Sequence, residues 1–446
     1  MQPGSQPAQA SRRLRARLAR RVLQPVQAFV RTEAAGGAVL FAATLIALAW
    51  ANSPWSASYA DLWESRITIE TALGDFDRDL AHIANEGLMA IFFFVVSLEI
   101  KRELLFGELA TPRRAALPVA AALGGMAVPA LLYASFNAGH AGAAGWGIPM
   151  ATDIAFALGV LALLGPRVPF ALKVFLLALA VVDDLGAILV IALFYTDHLA
   201  VDALVAAAGV VALIVVLGRA GVRSIVVYAV LGACLWLAVL ESGIHATIAG
   251  VVLALLTPAR PQREPAVAGE EAAAWLDALR ESPADTEEEE QALLGAIETA
   301  IQHAESPLER LERRLHPWAA FVILPVFALA NAGLDVSGGA VSEAARSGVA
   351  GGVVVGLLVG KPLGILLFSW LAVRLRLAHL PAGVNWTHIA GTGVVAGVGF
   401  TVSLFITGLA FDAGALQEEA KLGIVAASTV AGLAGFLLLR AVDSRP

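Results

Sequence analysis

Residues 177–195 read LALAVVDDLGAILVIALFY. Nineteen residues with no charge other than two adjacent aspartates, Asp183 and Asp184, make a helix long enough to cross a bilayer. A charge inside such a span costs several kcal/mol, about 2.5–3.5 on insertion scales, and persists where it faces a cavity or a partner. The stretch therefore predicts a membrane protein whose function sits in the membrane.

The rest of the chain agrees. Of 446 residues, 58% are hydrophobic and 15% charged, with mean hydropathy +0.76; soluble domains carry about 25% charged residues. Apolar runs near 34–52, 83–100, 115–136, 147–165, 171–195, 200–217, 223–241, 244–257, 317–334, 349–373, 387–409 and 422–440 predict about twelve transmembrane helices in an all-α polytopic membrane protein. With the N-terminus inside, 25 of the 30 Lys and Arg residues fall in inside segments and only Arg66, Arg78, Arg346 and Lys421 outside. This segregation predicts both termini in the cytoplasm. The single cysteine, Cys234, excludes a disulfide framework and a Cys/His zinc pattern.

Four divisions follow: a basic cytoplasmic segment (1–33), spans one to eight (34–258), an acidic cytoplasmic loop (259–316) and spans nine to twelve (317–441). Residues 11–31 read as a basic amphipathic helix on the membrane face. The net charge of −7 comes from one place, because residues 264–312 hold 14 acidic and 2 basic residues. EEAAAWLDALRE (270–281) and EEEEQALLGAIETAIQHAE (287–305) have helical periodicity, with Leu293, Leu294, Ile297 and Ile301 on one face. A solvated linker and a regulatory element are both compatible with them.

Two spans look interrupted. GIPMATDIAFALGVLALLG (147–165) has Pro149 and then Thr152-Asp153 in mid-run, and AGTGVVAGVGFTVSLFI (390–406) has Gly391, Gly393, Gly397 and Gly399. Each is the middle member of a three-span group, the pattern of a transporter site between structural repeats. Close helix packing also explains glycines, but not an aspartate in a break.

Asp153 and Lys361, in GLLVGKPLGILLF (356–368), complete the set of deep charges. Adjacent aspartates project about 100° apart and can border one cavity. Burial and a like-charged neighbour raise carboxylate pKa values, so the pair can hold protons or exchange them for a small hard cation. Asp153 suits the positive N-terminal end of a broken helix and Lys361 a negative C-terminal end; Lys361 could equally pair with Asp183 or carry a proton. Thr152 is a candidate cation ligand, although a span threonine more often bonds its own helix. Glu99 and Glu103, in SLEIKRELLFGEL (97–109), lie four apart on one helix face, and Glu86 sits nearer the other end of that span.

ATDIAFALGVLALLG (151–165), ALAVVDDLGAI (178–188), SGIHATIAGV (242–251), GKPLGI (360–365) and GFTVSLFI (399–406), in this order, resemble the bacterial NhaA-type sodium/proton antiporters. LMAIFFFVVSLEIKREL (88–104), HPWAAFVILPVFALANAG (316–333) and LAHLP (377–381) extend the resemblance over about 34–439. It implies inverted repeats with two crossed discontinuous helices. It also implies electrogenic, pH-regulated exchange of Na⁺ and Li⁺ for protons by alternating access across the bacterial inner membrane, for sodium extrusion and pH homeostasis, with no enzymatic reaction. By resemblance, Asp183 and Asp184 bind the ion and protons, Thr152 lines the site, and Asp153 and Lys361 balance crossed helix ends, with Lys361 contacting Asp183. Glu99, Glu103 and Glu312 would sense pH. No cofactor or nucleic acid is implied; the partners are the lipid bilayer and a second copy of the chain, paired partly through a hairpin at about 53–81. The chain departs from the pattern in the acidic insertion 264–305 and at Arg313, where some relatives have histidine, so the family's pH set point does not transfer.

A sodium-coupled organic-anion symporter would need more polar groups than these spans offer. An intramembrane aspartyl protease would need its aspartates on separate helices, one in a GxGD context that is missing here. A channel fits broken helices and titratable blocks less well than alternating access does.

Overall fold

A computed structural model describes residues 32–71, 74–196, 199–222, 224–261, 267, 270–271, 273–277, 291–297 and 305–442. The basic segment 11–31 lies outside the described residues. So does most of the acidic stretch, including Ile301; within it, residues 273–277 and 291–297 are helical.

Each of the twelve predicted apolar segments contains helix among the described residues, because a helix satisfies its own backbone groups where water is absent. In chain order the elements begin with α1 (Thr32–Ala51), α2 (Ser56–Glu64), a hairpin of β1 (Arg66–Thr71) and β2 (Gly74–Asp79), α3 (Leu80–Phe106) and α4 (Pro112–Asn137). Next come α5 (Ala141–Met150, wound as a 3-10 helix), α6 (Ile154–Leu163), α7 (Phe170–Phe194), α8 (Val201–Arg219), α9 (Ile225–Leu240) and α10 (Thr247–Leu256). The last are α11 (Pro307–Asn331), α12 (Gly338–Ala344), α13 (Gly348–Arg374), α14 (Trp386–Ala396), α15 (Phe400–Ala410) and α16 (Ala415–Ala441).

Among the described residues, eight helices are long and apolar enough to span a membrane. The pairs α5/α6 and α14/α15 bring this to ten as broken spans, bent by 42° and 46°. α9 and α10 are shorter: the ten residues of α10 reach about 15 Å, half a hydrocarbon core.

The chain forms two contact units, Met1–Ala81, Thr111–Ala187 and Ala320–Pro446 in one, His82–Ala110 and Ile188–Ala319 in the other. In the first, α4 and α13 touch backbone to backbone: a Cβ on Gly124 would strike the Gly364 carbonyl, and one on Gly364 the Gly124 carbonyl. Small residues permit such approach where lipid removes the hydrophobic drive between helices. Pro118 and Pro129 lie inside α4. β1 and β2 pair antiparallel from Arg66↔Asp79 to Thr71↔Gly74, with an exposed Arg66–Asp77 ion pair at 2.7 Å.

In the second unit, Phe94, Leu98, Ala254 and Leu308 form a core, and Gly250 of α10 rests on the Ala90 carbonyl of α3. Lys101 Nζ closes the C-terminal end of α10, donating to the carbonyls of Leu255 at 2.6 Å and Thr257 at 2.5 Å. Ser306 and Glu309 make a capping box that starts α11.

Candidate functional site

The site of the first unit is built where the two broken spans meet. Residues 151–153 are extended between α5 and α6, and 397–399 separate α14 from α15. The breaks are joined directly, Asp153 N donating to Val398 O at 2.7 Å. Four helix ends therefore converge away from water, each with unsatisfied N–H or C=O groups.

The side chains around the crossing meet those groups one by one. Asp153 Oδ1 accepts from Phe156 N at 3.0 Å, capping α6. Its Oδ2 accepts from Thr401 N at 3.1 Å and Thr401 Oγ1 at 2.6 Å, at the start of α15. Thr152 Oγ1 donates to Ala396 O, the last residue of α14, at 3.0 Å. Lys361 Nζ donates to Met150 O, the last residue of α5. Thr152 thus bonds the other broken span, not its own helix. Of the span-eleven glycines, Gly391 packs on Leu439 and Gly393 on Pro362, while Gly397 and Gly399 lie at the break. Packing and interruption are both present in that one motif.

Lys361 also donates to Asp183 Oδ2 at 2.7 Å, with both residues essentially fully buried. The two roles left open by the residue pattern, partner of Asp183 and companion of a helix C-terminus, are held by one ammonium. The Thr152 hydroxyl and amide face the same carboxylate, yet Asp183 Oδ1 has no hydrogen-bond partner. Asp184 is 2% exposed and close enough to Lys361 to act on its charge. A buried oxygen without a partner is costly, and such an oxygen, on a residue next in sequence to a second buried aspartate, can accept a proton or a small cation.

In the second unit, Glu99 Oε1 meets His316 Nδ1 at 2.9 Å and Glu312 Oε1 meets Arg102 Nη1 at 2.9 Å. Glu312 belongs to the charged opening of α11, PLERLERRLH (307–316), ahead of its apolar part. Burial pushes its carboxyl up to about 7, Glu99 adds to the rise, and Arg102 and His316 oppose it. Glu103 has a different bond: its carboxylate accepts the Glu108 amide at 2.6 Å, tying off the turn after α3. Arg313 pairs with Glu305 at 2.7 Å. Glu86 accepts the Ala246 amide at 3.3 Å and lies 3.9 Å from His245 Nδ1, beside the start of α10.

The residue pattern singled out neither Thr401 nor the pair Arg102 and His316. Thr401 stands in the first turn after the Gly399 break, where a hydroxyl faces free amides. Arg102 is three residues from Glu99 and His316 four from Glu312, each on one helix face.

Interrupted spans that cross, with deep charges at the crossing and at a neighbouring helix, define a polytopic membrane protein built as secondary transporters are. The Na⁺/H⁺ antiporter 1 family model matches residues 27–439. "Na(+)/H(+) antiporter NhaA" of Oleidesulfovibrio alaskensis is 49% identical over 427 residues, covering 94% of each chain. "Na(+)/H(+) antiporter NhaA 2" of Syntrophotalea carbinolica is 49% identical over 95% of this chain and 97% of its own. The Rhodopirellula baltica protein of the first name is 47% identical over 94% of each. The chain belongs to the Na⁺/H⁺ antiporter 1 family.

Proposed function

We propose that this protein exchanges Na⁺, and Li⁺, for protons by alternating access, with Asp183 and Asp184 as the shared binding site. The observation that carries the reading is the Asp183 carboxylate: one oxygen on Lys361, the other buried without a hydrogen-bond partner, next to Asp184 and Thr152. A cation and a proton compete for such oxygens, so occupancy by one requires release of the other. A cation drawn to the aspartates also competes with the Lys361 ammonium, which gives a route to moving more proton than sodium charge and hence to electrogenic exchange. Asp153, Lys361 and Thr152 hold the four helix ends together while the site changes its access.

The cluster of Glu99, Arg102, Glu312 and His316 is proposed as the pH-responsive element, with Glu103 setting the turn beside it. The multi-pass protein is placed in the bacterial inner membrane with both termini cytoplasmic, extruding sodium and steadying pH. The β1/β2 hairpin is the candidate contact for a homodimer.

The test is cation-induced dequenching of a ΔpH dye in proteoliposomes, across pH, with Na⁺, Li⁺ and K⁺. Responses to Na⁺ and Li⁺ that vanish in Asp184→Asn support the reading. Full exchange by a correctly inserted Asp184→Asn protein would remove the site assignment.

A further inference from the structure

A groove of about 420 Å³ lies between the start of α4 and the end of α13. Arg113 is the charged residue of its lining; the remainder, including Ala116, Ala120, Ala372 and Leu377, is apolar. The volume falls within the roughly 300–1,000 Å³ of ligand pockets, and the groove is open, with Leu123 and Leu377 half to two-thirds exposed. Arg113, Arg114, Arg374 and Arg376 are all exposed, flanking the groove in sequence on both helices. Among the described residues, the side chains of Arg113, Arg374 and Arg376 make no hydrogen bond or ion pair.

Two of these placements are locally unfavourable. Arg113 and Arg114 stand in the first turn of α4, where the helix dipole is positive and Thr111 supplies no side-chain cap. Arg376 has φ +60°, the left-handed conformation that favours glycine. That turn sends Leu377 N back to Ala372 O at 2.9 Å and so seats Leu377 in the groove wall. A general excess of basic residues at one membrane end accounts for arginines there, but not for an apolar groove between them. An anion offsets the positive charge set against the dipole of α4, the left-handed turn puts a second exposed guanidinium next in sequence to Leu377 of the groove wall, and an acyl chain suits the lining.

We infer that this groove binds an anionic phospholipid, its acyl chain along Ala116, Ala120 and Leu377 and its phosphate at Arg113 and Arg376. Basic pockets between transmembrane helices recognise anionic headgroups in this way. The occupant bridges α4 to α13, the helix that carries Lys361. The inference does not depend on which ion the protein moves.

The experiment uses the delipidated full-length protein and measures retention of phosphatidylglycerol and phosphatidylcholine by native mass spectrometry. Wild type should retain phosphatidylglycerol several-fold better, and Arg113→Gln and Arg376→Gly should each lower it about fivefold. Arg376→Gly relieves the left-handed strain, so its melting temperature should hold or rise, separating lost binding from lost folding. Ala120→Phe should lower retention of both lipids by filling the groove. Equal retention of the two lipids by wild type, or unchanged phosphatidylglycerol retention in both Arg113→Gln and Arg376→Gly, would overturn the proposal. Displacement of phosphatidylglycerol by glycerol phosphate at equal concentration would also overturn it, in favour of a soluble phosphate site.

Discussion

Thr401 and Asp153, 248 residues apart, are joined twice, by the Thr401 hydroxyl at 2.6 Å and its amide at 3.1 Å. One carboxylate thereby serves the N-terminal ends of α6 and α15, and a single side chain couples the two broken spans. Hydrogen bonds to charged groups contribute about 1.5–3 kcal/mol. Thr401→Val should lower stability by about that amount, with Thr401→Ser retaining most of it. Thermal unfolding in detergent, followed by a fluorescent size-exclusion readout, checks the difference; equal melting of the two variants would refute the coupling.

Lys361 and Asp183 should behave as a buried pair. Removing one partner of such a pair typically costs about 3–5 kcal/mol, while replacing both by apolar groups is often much milder. Lys361→Ala also leaves the Met150 carbonyl without its ammonium. A double-mutant cycle with Lys361→Met and Asp183→Leu should therefore be strongly non-additive in melting temperature. Additive losses would place the two residues in separate roles.

Glu312 gives a pH prediction with a defined sign. Its carboxyl is raised from 4.5 to about 7 by burial, so the folded protein holds a proton there that the unfolded chain has lost. The corresponding stability is fully present below 4.5 and is lost as pH rises through about 7. Glu312→Gln should flatten the decline in melting temperature over that window and move the pH profile of exchange. Superimposable wild-type and variant curves would show that Glu312 does not titrate in this range.

The acidic insertion should modulate transport without being needed for it. Glu305 pairs with Arg313, and Ser306 starts α11, so a deletion should stop short of both. Removing 264–304 should shift the pH profile in the dye assay and keep exchange. A well-inserted but inactive deletion would make the segment part of the transport machinery.

Gly364 should tolerate no side chain. A Cβ there meets the Gly124 carbonyl, and overpacking commonly costs about 1–3 kcal/mol. Gly364→Val should lower the melting temperature in step, whereas substitution at Gly408, where no atom lies within 4 Å of an added Cβ, should not.

The helical segments, the breaks near Asp153 and Gly399, and the four deep charges were all legible in the amino-acid sequence. Lipid makes them so: the hydrocarbon core demands long apolar helices, and an ionisable residue inside one is too costly to be incidental. What the sequence could not supply was the assignment of partners. Lys361 had two physically acceptable positions and takes both; Thr152 faced its own helix by precedent and bonds Ala396 instead; Glu103 shared a face with Glu99 but binds the Glu108 amide. The same limit hid Thr401, Arg102 and His316, and the predicted span at 244–257 holds a helix of only ten residues, α10. Hydropathy decides which segments enter the bilayer, because that depends on each segment's own transfer energy. Which helix ends meet, and which side chains satisfy them, depends on the close packing of backbones such as Gly124 on Gly364, and only the tertiary structure decides that.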